Sequence, residues 1–234
     1  MTAYFDGYAQ KYGEVLNKSL KATGENQEYF ARRRVEITGN LLAQRQATIA
    51  RVVDFGCGLG TSAPHLAQHL QPKCIVGVDI SREILKEAKF RNKLARVSFA
   101  HVEDFNGRAD LVFCNGVFHH IAPAERRGAL EVIRRILGNG GYLAFWENNP
   151  LNLGTRYIMS RCEFDRGAVV ISPGEARVLL EANGFEIAQT RSAFFFPRLL
   201  AWMRGLEKSL ASTLLGGQYL LLATPRERAP NTTA

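Results

Sequence analysis

Residues 52–60 read Val-Val-Asp-Phe-Gly-Cys-Gly-Leu-Gly. An apolar run that breaks into three glycines marks a strand turning into a helix, where the backbone adopts conformations or approaches groups that a side chain would block. Such a turn aims helical N–H groups outward, and α/β proteins bind cofactors there. A carboxylate, Asp54, stands at its entrance.

The surrounding pattern alternates. Val52–Phe55, Cys74–Val78, Val97–Ala100, Asp110–Cys114 and Tyr142–Trp146 read as strands, separated by helical spacing at Thr61–Leu70, Arg82–Asn92 and Pro123–Leu137. Ser81 is placed to cap the second helix, and Gly138-Asn139-Gly140-Gly141 ends the third. Strands flanked by helices on both sides predict a parallel sheet with both faces covered. Residues 147–171 show no period. Ser172–Asn183 then resumes as a helix with a Ser172/Glu175 capping box, and Phe185–Ser192 and Gln218–Thr224 read as further strands. Glu25–Gln46 reads as a long helix ahead of the sheet.

With 234 residues and 46% hydrophobic composition, the chain suits one globular domain with a sizeable core. No apolar run reaches the roughly 18 residues of a membrane span, and the N-terminus carries no signal-peptide pattern. The four cysteines, Cys57, Cys74, Cys114 and Cys162, are scattered, which suggests buried thiols in a reducing compartment and disfavours a structural zinc site. A cytoplasmic location is the expectation, and no metal is called for. The net charge of +8 reads as a solvated arginine-rich surface, Arg126-Arg127 and Arg134-Arg135 included, in preference to a polyanion-binding face.

The glycine spacing separates two cofactor classes. A dinucleotide site wants G-x-G-x-x-G, whereas here Gly56, Gly58 and Gly60 are followed by Thr61. Asp54 would face a pyrophosphate unfavourably but would suit a cofactor bearing an amine and a sulfonium and no phosphate.

VVDFGCGLG resembles the first motif of class I S-adenosylmethionine-dependent methyltransferases, and Val76–Ser81 (VGVDIS) the second. The similarity continues through Asp110–His120 and Gly140–Trp146 and covers most of the chain. Within that class it is most similar to the small-molecule branch that includes ubiquinone/menaquinone-biosynthesis methyltransferases. The resemblance implies a doubly wound, mostly parallel seven-stranded sheet spanning about residues 49–225, an N-terminal helical lid over 1–48, a cap over 147–171 and a disordered tail at 226–234. It implies S-adenosylmethionine as cofactor: Gly56, Cys57, Gly58 and Gly60 under the methionine portion with Asp54 near its ammonium, Asp79 on the ribose hydroxyls with Ser81 beside it, Ile80 against the adenine, Glu103 or Asp104 at the adenine amino group, and Asn115 and Gly116 at the methionine end.

On the acceptor side, His119 and His120 could supply a base or an orienting group, or simply pack under the cofactor and cap the next turn. Glu147 is the best carboxylate for meeting an acceptor. Asn148, Asn149, Arg156, Tyr157 and Arg161 in the long excursion after the fifth strand are candidate acceptor contacts, with Arg156 and Arg161 suited to an acidic one. Tyr8 and Tyr12, with Tyr4 and Phe5, could line a lid. Residues 194–215 (FFFPRLLAWMRGLEKSLASTLL from Phe194) either cover the sheet, the preferred reading, or touch a membrane or lipid acceptor.

The expected activity is methyl transfer to a small molecule, lipidic or acidic, by a monomer or homodimer. Nucleic-acid methylation is the alternative. It is disfavoured because the place for Asn/Asp-Pro-Pro-aromatic holds Asn115-Gly116-Val117-Phe118, and Glu147-Asn148-Asn149-Pro150 follows a different strand. A cofactor-binding protein without turnover is the third reading.

Overall fold

The computed structural model describes residues 12–226. Tyr4, Phe5, Tyr8, the side chain of Tyr12 and the expected tail beyond Arg226 lie outside the described residues. Seven strands form one sheet: β1 (Arg51–Phe55), β2 (Cys74–Asp79), β3 (Val97–His101), β4 (Leu111–Asn115), β5 (Tyr142–Asn148), β6 (Phe185–Ala193) and β7 (Gln218–Pro225). Their spatial order is β3-β2-β1-β4-β5-β7-β6. The first five pair in parallel, and β7 runs antiparallel between β5 and β6. The order reverses between β1 and β4, so the crevice for a ligand opens beyond the carboxyl ends of those strands.

The helices are α1 (Tyr12–Leu20), α2 (Gln27–Gln44), α3 (Ala63–His69), α4 (Arg82–Arg91), α5 (Arg126–Leu137), α6 (Leu153–Arg161), α7 (Pro173–Ala182) and α8 (Glu207–Leu210). The strands are apolar at successive positions because both faces are buried. Val53, Val112, Cys114, Leu143 and Phe145 pack with Leu130 and Ile133 of α5 and Leu180 of α7. The alternate residues Val52, Leu111, Phe113, Ala144 and Trp146 pack with Val35 and Leu41 of α2 and Leu66 of α3. Burying each large side chain contributes about 1.5–3 kcal/mol.

The expected caps are present. Ser81 Oγ accepts from Ile84 N at 3.1 Å, and Ser172 and Glu175 form the capping box of α7. The helix α6 was not foreseen. Asn152 Oδ1 caps it through Thr155 N at 2.9 Å, but its one buried residue is Thr155, so it carries no apolar stripe to read.

The sheet-covering expectation for residues 194–215 is overturned. Phe194 packs at the edge of the α2-side core, but Arg198–Leu206 is a 3₁₀ run broken by non-helical Leu200, and Leu199 and Trp202 are 88% and 80% exposed. The helical spacing of apolar residues there reflects an exposed ridge, with Ala211 the buried residue among 198–215. No helix among the described residues is long and apolar enough to cross a membrane.

Candidate cofactor and acceptor site

The turn after β1 places its glycines in the left-handed region, with φ of +69° at Gly56, +51° at Gly58 and +72° at Gly60. A Cβ at Gly56 would lie 2.4 Å from Val117 Cγ2, and one at Gly60 2.8 Å from the Phe99 ring. At these two positions the chain's own packing already requires glycine. The turn is tied to β2: Gly56 N and Cys57 N donate to Val78 O at 2.8 and 3.1 Å, and Gly58 N donates to Asp79 Oδ2 at 3.0 Å. Gly60 N donates to Cys57 O at 2.9 Å.

These amides are therefore engaged within the chain, and two carboxylates flank them. Asp54 is 4% exposed. Burial, with the Asp79 charge adding to it and Arg34 opposing, pushes its carboxyl up to about 7. Burial also raises Asp79, partly offset by N–H groups donated from Ser81 and Gly58. A pyrophosphate would meet committed donors and negative charge here, whereas a cation would meet two carboxylates that gain from its arrival.

Of the other expected cofactor residues, Ile80 is exposed at the end of β2, open to a ligand. Ser81 is fully buried as the cap of α4, so its side chain faces the helix instead of a ligand. The Cys57 thiol sits over β2, 2.9 Å from where a Gly77 Cβ would stand. Glu103 is exposed, and exposed Asp104 pairs with Arg82 at 3.1 Å, so the structure does not choose between them for the adenine end.

Beyond β4 the chain turns through Asn115 and Gly116 into a 3₁₀ turn, Phe118–His120. This turn is clamped from three sides. Glu147, at the end of β5, accepts from Phe118 N through Oε1 at 2.7 Å, and its Oε2 lies 2.6 Å from His119 Nδ1. Val169 N donates to His119 O at 2.8 Å. Arg126 Nε donates to Phe118 O and Ile121 O, and its Nη2 to Val169 O. Arg126 is thus a buried structural cation, a correction to the reading of that arginine pair as solvated surface.

Asp165, in the 3₁₀ turn Glu163–Asp165 after α6, brings Oδ1 to 3.4 Å from His119 Nε2 and 3.7 Å from His120 Nε2. Burial alone would push the His119 imidazole down. The charge of Glu147 and the contacts with Asp165 and Glu147 outweigh it, raising His119 to about 10. Burial and the neighbouring His119 hold His120 down at about 4. At neutral pH the pair is one imidazolium and one neutral ring.

A cavity of about 350 Å³ lies over these residues at the strand ends. His119, His120, Asn148 and Tyr157, read as acceptor-side candidates, line it, together with Asn115 and Gly116, read as contacts of the methionine end. Glu147 does not line it: the carboxylate is 1% exposed and lies behind His119. Asn149 is a correction, being wholly buried with Nδ2 donating to Leu214 O and Gly216 O and Oδ1 accepting from Leu151 N. Arg156 and Arg161 also fall outside the lining; both are exposed, and Arg161 stacks over Tyr157 at 5.3 Å.

The cavity's arginines are instead Arg34 and Arg204, and its walls include Tyr29, Phe30 and Phe164, none of them anticipated as site residues, with Phe194–Phe196 from the stretch read as a possible lipid contact. Phe194 has φ of +64°, and this strained backbone sets its ring 4.9 Å from Phe30 and 6.3 Å from Trp146.

Sheet order, glycine turn and flanking carboxylates define a doubly wound α/β protein with its cofactor crevice at the β1/β4 reversal. The chain has the class I S-adenosylmethionine-dependent methyltransferase fold, and residues 53–143 match the family described as methyltransferase domain. It is 35% identical over 141 residues to trans-aconitate 2-methyltransferase of Methylobacterium nodulans, covering 56% of this chain and 52% of that protein. It is 28% identical over 144 residues to carboxy-S-adenosyl-L-methionine synthase of Campylobacter jejuni, covering 59% and 58%. The chain thus spans about half the length of these curated relatives. Magnesium protoporphyrin IX methyltransferase of Synechocystis, solved with bound S-adenosylhomocysteine, superposes with a TM-score of 0.64 at 20% identity, over 97% of this chain and 99% of that one.

Proposed function

We propose that this chain binds S-adenosylmethionine and transfers its methyl group to a small, largely apolar acceptor. The observation that carries the reading is the pairing of engaged glycine-turn amides with Asp54 and Asp79, an environment built for a cation and unsuited to phosphate. The relatives and the fold neighbour support the same cofactor class.

S-adenosylmethionine supplies an electrophilic methyl on a sulfonium. The chain's task is to place the acceptor in line and keep water out. Asp54 neutralises the ammonium of the methionine end. Asp79 accepts backbone N–H groups from Gly58, Ser81 and Ile80, which leaves lone-pair capacity on the carboxylate for a ribose hydroxyl. Ile80 offers an apolar surface to the adenine. The aromatic walls and the cavity volume of about 350 Å³ suit an acceptor with an apolar body, in the size range of small-molecule sites. Arg204 is already paired with Glu25 at 2.9 Å, and Arg34 donates to Gln218 at 2.9 Å, which favours a mainly apolar acceptor over a polyacidic one.

His119 and His120 line the cavity where an acceptor would sit and are the polar groups nearest its floor. Glu147 positions His119.

Calorimetry with S-adenosylhomocysteine and with NAD tests the cofactor: binding of the first and none of the second is expected, and the reverse refutes the reading. A metabolite extract incubated with chain and cofactor should contain a species gaining one methyl. The relative named for making a modified S-adenosylmethionine motivates following the cofactor by mass in the same reaction. Modification of the cofactor itself, with no methylated acceptor, would replace transfer with that chemistry.

A further inference from the structure

We propose that His119, His120 and Asp165 form a binding site for one divalent transition-metal ion, of the zinc or cobalt type, on the cavity floor. One donor atom from each of the three residues lies within 4.8 Å of the other two. All three residues line the cavity, so a coordination position remains open toward whatever occupies it.

The distances favour a shared ion over a closed ion pair. A charge-assisted N–H···O bond measures about 2.7–2.9 Å, and the His119–Glu147 contact at 2.6 Å is of that kind. Asp165 Oδ1, by contrast, stands off from both imidazoles at 3.4 and 3.7 Å. Metal–nitrogen and metal–oxygen bonds of about 2.0–2.2 Å at tetrahedral angles place ligand atoms roughly 3.4 Å apart. The carboxylate is therefore held at the spacing that two bonds to a common ion require.

The supporting residues match as well. In metal sites a ligating histidine donates its other ring N–H to a carboxylate, which fixes the tautomer and aims the free nitrogen at the ion. Glu147 does this to His119, engaging Nδ1 and leaving Nε2 toward Asp165. The backbone is held rigid by Phe118 N on Glu147, by Val169 N on His119 O and by Arg126. Asp165 is fixed by its own turn, with N donating to Cys162 O at 3.2 Å and O accepting from Ala168 N at 3.0 Å. Glu147 behind His119 and Asp165 beside it supply the negative charge that a divalent cation would meet. Two histidines and one carboxylate suit zinc, cobalt or ferrous iron and disfavour magnesium or calcium.

The chelator-treated chain titrated with cobalt(II) chloride should take up one equivalent and develop visible d–d bands without the near-ultraviolet charge-transfer band of a thiolate ligand. His120→Ala and Asp165→Asn should each weaken uptake at least tenfold. Absence of saturable uptake, a thiolate band, or uptake unaffected by both variants overturns the site. If circular dichroism shows that a variant is unfolded, anomalous diffraction from zinc-soaked wild-type crystals decides: a peak among the three side chains supports the site, and no peak there overturns it. Neither readout involves S-adenosylmethionine, so the methyl-transfer reading stands or falls separately.

Discussion

Glu147 Oε2 lies 2.6 Å from His119 Nδ1, with the two side chains 1% and 4% exposed. Burial would raise the Glu147 carboxyl, but His119 and the Phe118 amide hold it below its ordinary value. Removing one partner of such a pair strands a buried charge, so Glu147→Ala should destabilise the chain by about 3–5 kcal/mol. Glu147→Gln keeps an acceptor for Phe118 N and should cost less. His119 is raised in the folded state, so its contribution is complete below about pH 6.5 and is lost as pH rises through about 10. Urea unfolding of wild type and Glu147→Gln across that range should show the gap narrowing with rising pH. A gap independent of pH would remove the imidazolium from the account.

Asp54 gives a second pH signature, of opposite use. Its carboxyl is raised to about 7 in the folded chain, so this group favours folding at low pH and loses that contribution as pH rises through about 7. A bound ammonium favours the carboxylate, so S-adenosylmethionine should bind more tightly as pH rises through 7, by up to about tenfold per unit. Calorimetry at pH 5.5, 6.5 and 7.5, compared with Asp54→Asn, checks this. The variant should bind weakly and without the pH trend, and an identical trend in both would assign it elsewhere.

Gly56 and Gly128 make a matched test of the glycine turn. Gly56→Ala puts a Cβ 2.4 Å from Val117 Cγ2 at φ of +69°, so it should destabilise the chain by about 1–3 kcal/mol. Gly128 lies in α5 with nothing within 4 Å of an added Cβ, and Gly128→Ala should stabilise by about 0.5–1 kcal/mol. Thermal melts of both variants decide. A neutral Gly56→Ala would mean the turn yields, and that its glycines are there for a ligand alone.

The strand positions were legible because each reports itself locally: Val52–Phe55 and Tyr142–Trp146 are mainly apolar runs ended by glycines or caps, whereas the seven-stranded arrangement rested on the family resemblance. The acceptor side was less so, since its chemistry is assembled across distance. Asp165 meets His119 from 46 residues away by way of α6, whose sequence has no apolar stripe. Arg34 and Tyr29 reach the cavity from a helix that reads as a plain scaffold. Asn149 and Arg156 lie in the right excursion, but loop position says nothing about direction: Asn149 turns inward to hold 214–216, and Arg156 turns to solvent. The Asn152-x-x-Thr155 cap was the one local signal that would have placed α6 and, with it, Asp165.

Asp79 is the sharpest test of the cofactor assignment, because it has two separable jobs. It holds the glycine turn through Gly58 N and the start of α4 through Ser81 N, both at 3.0 Å. The proposed second job is to accept ribose hydroxyls. Asp79→Ala should weaken S-adenosylhomocysteine binding by about 1–3 kcal/mol, yet loosening of the turn alone could do that. A cycle with a 2′-deoxyribose analogue isolates the ribose contact. Wild type should bind the analogue roughly 5- to 100-fold more weakly than the parent nucleoside compound, on the same energy scale. In Asp79→Ala that preference should collapse toward unity, whatever has happened to overall affinity. If wild type binds both compounds equally, Asp79 serves the turn and not the ligand, and the ribose must be held elsewhere along the crevice.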